Sequence, residues 1–204
     1  MVKVLAINGS HRAGKNVASL LSTVLEEAQN LGAETELVEL SELDIEFCLG
    51  CNRCLFKPEC KITDDDMSVL TAKMLEADAI VLGSPNYFCD VSARMKNFMD
   101  RTRPLHMVSN QLKGKIAGYV TMSGLDNCGA ESTADMLDKF CTIHEMTVIH
   151  PRPEGPVFSR VVSGSLMAGM KDGAPLWRKS VGEDPCAPAM AKQLGKDIMA
   201  ALTK

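Results

Sequence analysis

Val2-Lys3-Val4-Leu5-Ala6-Ile7-Asn8-Gly9-Ser10-His11-Arg12-Ala13-Gly14-Lys15-Asn16 opens the chain and sets its architecture. Val2 to Asn8 is short, apolar and partly β-branched, and Gly9 ends it, so it reads as a buried strand. From Asn16 to Leu31 the apolar residues Val17, Leu20, Leu21, Val24, Leu25 and Ala28 fall on one face of a helix, and Gly32 stops it. Strand, small polar loop and helix therefore follow one another without a break.

The same grammar repeats down the chain. Glu34 to Leu40 reads as a strand, and Thr63-Asp64-Asp65-Asp66 caps a helix running to about Glu76. Ala79-Ile80-Val81-Leu82 is a buried strand, followed by a helix over Ser92 to Thr102. Lys115 to Met122, Ala130 to Cys141, Thr147 to His150 and Pro188 to Leu202 read in turn as strand, helix, strand and closing helix. Alternation of this kind implies right-handed crossovers and a parallel sheet covered on both faces. Five strands suit an α/β, flavodoxin-like three-layer sandwich of order 2-1-3-4-5 better than a six-stranded dinucleotide fold.

A length of 204 residues suits one such domain, 1–204. A formal net charge of −4 leaves no footprint for nucleic acid. No apolar stretch approaches a membrane span, and the apolar start is too short for a signal peptide, so a cytoplasmic protein is expected. Residues 151–185 break the pattern with Pro151, Pro153, Pro156, Pro175 and Pro185 and a lone Trp177, and are expected to form an irregular arm. Its apolar pairs, Val157-Phe158, Val161-Val162, Leu166-Met167 and Leu176-Trp177, need a surface to pack on, and a partner subunit is one candidate.

Inserted after the second strand, within residues 44–62, is a loop carrying Cys48, Cys51, Cys54 and Cys60, spaced C-x2-C-x2-C-x5-C. Thiolates are soft ligands suited to iron–sulfur clusters, zinc or cuprous copper. Three cysteines at x2 intervals favour a 4Fe–4S cluster, although the ferredoxin spacing ends differently. Structural zinc more often uses two separated knuckles, and there is no second one here. Zinc and free thiols stay as alternatives. Cys89, Cys128, Cys141 and Cys186 are scattered and read as small buried hydrophobes.

Ligands in such sheets bind beyond the carboxyl ends of the strands, where strand order reverses. Three loops qualify. Gly9 to Asn16 offers Ser10, Asn16 and a helix N-terminus, an anion site to which Arg12 and Lys15 add charge. It misses a Walker A loop by one residue, because Asn16 replaces the hydroxyl that holds magnesium, and no strand end supplies the acidic partner. A nucleotidase is thus a weaker alternative. Gly83-Ser84-Pro85-Asn86-Tyr87-Phe88-Cys89-Asp90 places two aromatics at a strand mouth, and these suit a flat heterocycle. Ser123 to Glu131 has glycines that permit close backbone approach, with Glu131 expected to cap the following helix. His11, in the first loop, reads as a solvated side chain.

Gly9-Ser10-His11-Arg12, the run Gly83 to Phe88 continued by Val91 to Arg101, and the compact cysteine motif together resemble the iron–sulfur flavoproteins, within the NADPH-dependent FMN reductase family. The resemblance covers roughly residues 1–150. It implies an FMN phosphate at Ser10, Arg12, Asn16 and Val17, and an isoalloxazine ring against Pro85, Asn86, Tyr87, Phe88, Ser123 and Gly124. It also implies a 4Fe–4S cluster on Cys48, Cys51, Cys54 and Cys60, and a homodimer or homotetramer. Val17 stands where threonine is common, losing one hydroxyl contact. The activity implied is electron transfer between a one-electron carrier such as ferredoxin and a two-electron acceptor or donor, with no catalytic side chain required. An NAD(P)H-dependent FMN or quinone reductase is the alternative, and a zinc-stapled interaction module a more distant one.

Overall fold

The computed structural model describes residues 1–154 and 159–203; Pro156, Val157 and Phe158 of the expected arm lie outside the described residues. In chain order the elements are β1 (Lys3–Asn8), α1 (Asn16–Asn30), β2 (Glu34–Glu39), α2 (Met67–Glu76), β3 (Ala79–Pro85), α3 (Ala93–Arg101) and the short α4 (Arg103–His106). They continue as β4 (Ile116–Ser123), α5 (Ala130–Ile143), β5 (Thr147–Val148), β6 (Val162–Ser165), β7 (Met167–Lys171), β8 (Ala174–Trp177) and α6 (Ala187–Leu202).

The strands pair in the order β2-β1-β3-β4-β5, all parallel, as the sequence implies. Side chains alternate across the sheet, so each strand feeds two cores. Leu5, Ile7, Ile80 and Leu82 face one layer with Leu70 and Met74 of α2, Met95 and Phe98 of α3, and Leu137 of α5. Val4, Ala6 and Val81 face the other, with Leu21 and Val24 of α1 and Leu194 and Ile198 of α6. All seven residues of β3 are buried, which is why its sequence shows no polar alternation. Gly195 lets α6 close on α1, since a Cβ there would lie 2.6 Å from the Val24 carbonyl oxygen.

The arm differs from expectation. It contributes a sixth strand to the sheet: β6 runs parallel to β4 from Val120↔Val162 to Ser123↔Ser165, while β5 pairs only with Ile116 and Ala117 of the same strand. Two short strands thus share one edge of β4 end to end. Val162-Ser163-Gly164-Ser165 is too short and too small-residue-rich to register as a strand by periodicity. Its β identity comes from the backbone of β4, and a Cβ at Gly164 would meet Val181 at 2.4 Å. Beyond it, β7 and β8 form an antiparallel hairpin that leaves Met170, Leu176 and Trp177 exposed. Among the described residues no helix is long and apolar enough to cross a membrane.

Candidate functional site

The ends of β1, β3 and β4 bring the three loops to one edge of the sheet. In the first, Asn8 is fully buried and organises the turn. Its Nδ2 donates to Glu39 Oε2 at 2.6 Å, while its Oδ1 accepts the Ser10 N–H at 2.9 Å. Ser10 Oγ accepts from the Arg12 N–H, and Glu39 Oε1 from the Gly14 N–H. No side chain caps α1 and no acidic residue stands in its first turn. Its leading N–H groups therefore lack intrahelical partners and, with the helix dipole, favour an anion. Arg12 and Lys15 are exposed beside them.

Two predicted contacts take a different form. Val17 is buried, and its side chain fills the space left by the missing Cβ of Gly83, so only its backbone is left to serve a ligand. The Asn16 side chain accepts the Val181 N–H at 3.0 Å, tying the start of α1 to the arm. Neither use is visible in the sequence, because each depends on a residue distant along the chain.

In the second loop, Tyr87 and Asp90 exchange backbone hydrogen bonds of 3.0 and 3.1 Å around Phe88 and Cys89, whose φ values are +52° and +63°. Turns of that shape normally use Asn-Gly. A bulky residue held left-handed is costly and clusters at functional sites. Phe88 is wholly exposed and Tyr87 nearly half so. Pro85 is buried as the last residue of β3. Asn86 spends its side chain on the third loop and the helix after it, donating to the Cys128 carbonyl and accepting from Thr133 Oγ1 of α5 at 3.0 Å. Ser123 is buried with its hydroxyl donated to the Leu125 carbonyl, while Gly124 is exposed. Gly129 is needed where it stands: φ is +95°, and a Cβ would strike Cys89 Sγ at 2.5 Å. Glu131 lies in the first turn of α5, whose cap position is Gly129.

The cysteine loop lies on the α3 side. Cys54 is buried on a single 3₁₀ turn, Arg53–Leu55, Cys60 is half-buried, and Cys48 and Cys51 are exposed. All four line one pocket, with Arg53, Arg101 and Arg103. They are not gathered to ligand distance: among the described residues no group of three or more His, Cys, Asp or Glu side chains is set to hold a metal. Of the scattered cysteines only Cys141 is buried, and burial, then Asp138, pushes its thiol up to about 12. Cys89, Cys128 and Cys186 are exposed, contrary to expectation, because each sits on a loop or helix start rather than on a core face.

One helix joins the two regions, and its part was not legible in the sequence. At its start, Ser92 caps α3, accepts from the Met95 N–H and donates to the Gly9 carbonyl. Arg94 donates to His11 Nδ1 at 3.2 Å, and the His11 ring stacks on Tyr87 with centroids 5.9 Å apart. His11 is thus a bridge between loops rather than a free side chain. Farther along, Asn97 donates to the Ile45 carbonyl. At the end, Arg101 bonds both Asp65 carboxylate oxygens and the Glu46 carbonyl. Both side chains of that ion pair are about as buried as a core residue, 1% and 2% exposed. Burial opposes the Asp65 charge, but Arg101 and the Glu46 and Met67 N–H groups hold its carboxyl below the usual value. Behind this end of α3, Thr102 Oγ1 lies 3.2 Å from His144 Nε2, and burial, then His106, pulls that imidazole down to about 4.

Residues 2–152 match the family model of NADPH-dependent FMN reductases. An iron–sulfur flavoprotein of Archaeoglobus fulgidus is 38% identical over 198 residues, spanning 97% of this chain and 94% of that one. One from Methanocaldococcus jannaschii is 40% identical over 148 residues, 72% of this chain and 76% of its own. Among solved structures, RosB with bound 8-demethyl-8-formylriboflavin-5'-phosphate superimposes with a TM-score of 0.72 at 16% identity, covering 100% of this chain and 81% of RosB; at that identity the likeness speaks to fold alone.

Proposed function

As a member of the iron–sulfur flavoproteins, within the NADPH-dependent FMN reductase family, the chain is an FMN-dependent oxidoreductase, and we propose that it passes electrons between a one-electron carrier and a two-electron partner through FMN and a 4Fe–4S cluster. When bound, FMN exchanges electrons singly or in pairs and the cluster one at a time, which supplies the conversion. The observation that carries this reading is the placement of the two regions at opposite ends of α3, a nine-residue helix.

The residues fit both groups. For the phosphate there are the free N–H groups of the first turn of α1, with Arg12, Lys15 and Ser10 alongside. Asn16 and Val17 contribute through the backbone, since their side chains are engaged elsewhere. Tyr87 and Phe88 present exposed aromatic faces, and Gly124 an accessible backbone, for the ring. Pro85, Asn86 and Ser123 shape that face from beneath, holding the second and third loops in register. For the cluster, Cys48, Cys51, Cys54 and Cys60 share one pocket, and the Nε–H of the adjacent buried Arg101 has no partner. An uncompensated buried donor beside four thiols suits an anionic thiolate centre, which carries more acceptor charge than neutral thiols.

Electrons enter and leave by a ferredoxin-like carrier or by NAD(P)H, and the chain works as a homodimer or homotetramer in which the exposed Met170, Leu176 and Trp177 of the β7–β8 hairpin contribute to contact. The cytoplasm, where thiols remain reduced, suits the cysteine loop. Purification under strict anoxia is expected to give brown protein with about one FMN and four irons per chain. Colourless protein with stoichiometric zinc overturns the cluster; rapid anaerobic bleaching of the flavin by NADPH favours a simple reductase over a ferredoxin-linked one.

A further inference from the structure

Arg101 has more hydrogen-bonding capacity than its neighbours use. A guanidinium carries five N–H donors. Three are taken: two from Nη1, to the Glu46 carbonyl and Asp65, and one from Nη2 to the other Asp65 oxygen. The side chain is 1% exposed, yet Nε–H has no partner. A buried, unpartnered donor is costly, more so when charged, so such groups mark a missing acceptor.

The surroundings say which acceptor. Arg101 lines the pocket formed by the four cysteines and also the neighbouring one, and Cys60 is the cysteine common to both. Cys60 is half-buried and follows the exposed Arg53–Glu59 ion pair. Asp65 fixes the guanidinium from the far side through a fork that lysine cannot reproduce. The arginine is thereby pinned with its unused edge directed away from the carboxylate.

We propose that Arg101 is the positioning and tuning residue of the iron–sulfur site, donating its spare N–H to the Cys60 sulfur once that sulfur is a deprotonated ligand. This rests on the cluster reading given above. Hydrogen bonds and positive charge at a ligating sulfur stabilise the more negative, reduced state of a cluster and raise its potential. Arg53 also stands near the cysteines, but it is exposed and paired with Glu59 on the surface, so its contribution is screened.

The test is a potentiometric titration of the anaerobic holoprotein followed by the EPR signal of the reduced cluster, with iron and sulfide assayed in each sample. Arg101→Lys keeps the cation beside Asp65 and removes the guanidinium edge. It is expected to retain iron and shift the midpoint negative by about a tenfold change in the one-electron equilibrium, which corresponds to about 59 mV. The double variant Asp65→Asn/Arg101→Gln removes both buried charges together, guarding against a folding failure caused by leaving one unpaired. It is expected to shift in the same direction, since the N–H is lost while the two opposite charges largely offset each other. Arg53→Gln is expected to move the midpoint by less than a twofold change. Iron present with an unshifted midpoint in both Arg101 variants, or an equal shift in Arg53→Gln, overturns the role of Arg101. Wild-type protein without iron overturns the cluster reading itself, a different and separately visible result.

Discussion

The loops at the carboxyl edge of the sheet and the cysteine loop are held in opposite ways. At the sheet edge, the turns are built from polar groups that satisfy one another, with Asn8, Ser10, Ser92 and Thr133 buried: Asn8 with Glu39 and Ser10, Ser92 with Gly9, Asn86 with Cys128 and Thr133. Beside α3, two of four cysteines are exposed, and the loop is secured chiefly by Asp65 and Arg101. Its thiols share a pocket without converging. The difference teaches that the sheet-edge loops take their shape from their own hydrogen bonds, whereas the cysteine loop, on the cluster reading proposed above, is completed by the metal, as metal affinity and local folding are coupled.

The hardest blow to that contrast comes from Cys54→Ser, which removes the buried thiol. Iron is expected to disappear while FMN stays near one per chain, read by metal assay and flavin absorbance. Joint loss of FMN breaks the comparison, for it makes the sites one cooperative unit. Next in size is Asp65→Ala, which strands the Arg101 charge in the interior. A cost of about 3–5 kcal/mol is expected in urea unfolding, with new protease cleavage confined to residues 44–62; cleavage in residues 9–16 instead contradicts it.

Acid sharpens the contrast through His144, which backs the cysteine end of α3. The unfolded chain takes up a proton near 6.5, the folded one only near 4. Between those values the unfolded state binds more protons, so stability falls as the pH falls, by roughly 3 kcal/mol across the window at about 1.4 kcal/mol per unit. Replacing it by Phe is expected to flatten that slope in denaturation curves taken from pH 7 to pH 4; an unchanged slope assigns it elsewhere. The mildest change is Gly9→Ala, whose new Cβ meets Met95 Cβ at 2.6 Å. About 1–3 kcal/mol is expected from such overpacking, together with FMN binding about tenfold weaker, as about 1.4 kcal/mol of that strain falls on the binding loop. Iron content is expected to stay intact, measured on the same preparation.

What could be read from the residues alone followed from local signals. The β1, β3 and β4 runs are apolar because they are buried on both faces, and the spacing of the four cysteines is a pattern within thirteen residues. The strand β6 escaped because four small residues carry no periodicity and gain their form from β4. Arg101 escaped too: at the end of an amphipathic helix an arginine reads as a solvated charge suited to the dipole, and its partner Asp65 is 36 residues away. His11 looked solvent-bound until α3 supplied Arg94, 83 residues on. The loops could be located from the sequence, but the side chains that brace them could not.

The hydrogen bond from Val181 to Asn16 spans 165 residues, and it bears on the order in which a ribosome releases this protein. The first loop precedes both α6 and β6 in the chain, so the face of α1 beneath it stays bare until α6 has been made, and β4 lacks the partner strand at its carboxyl end until β6 emerges. Long-range closure of this kind comes late in folding. A nascent or truncated chain lacking residues 162–202 therefore carries the loops after β1, β3 and β4 and still lacks the strand and helix that pack beside them.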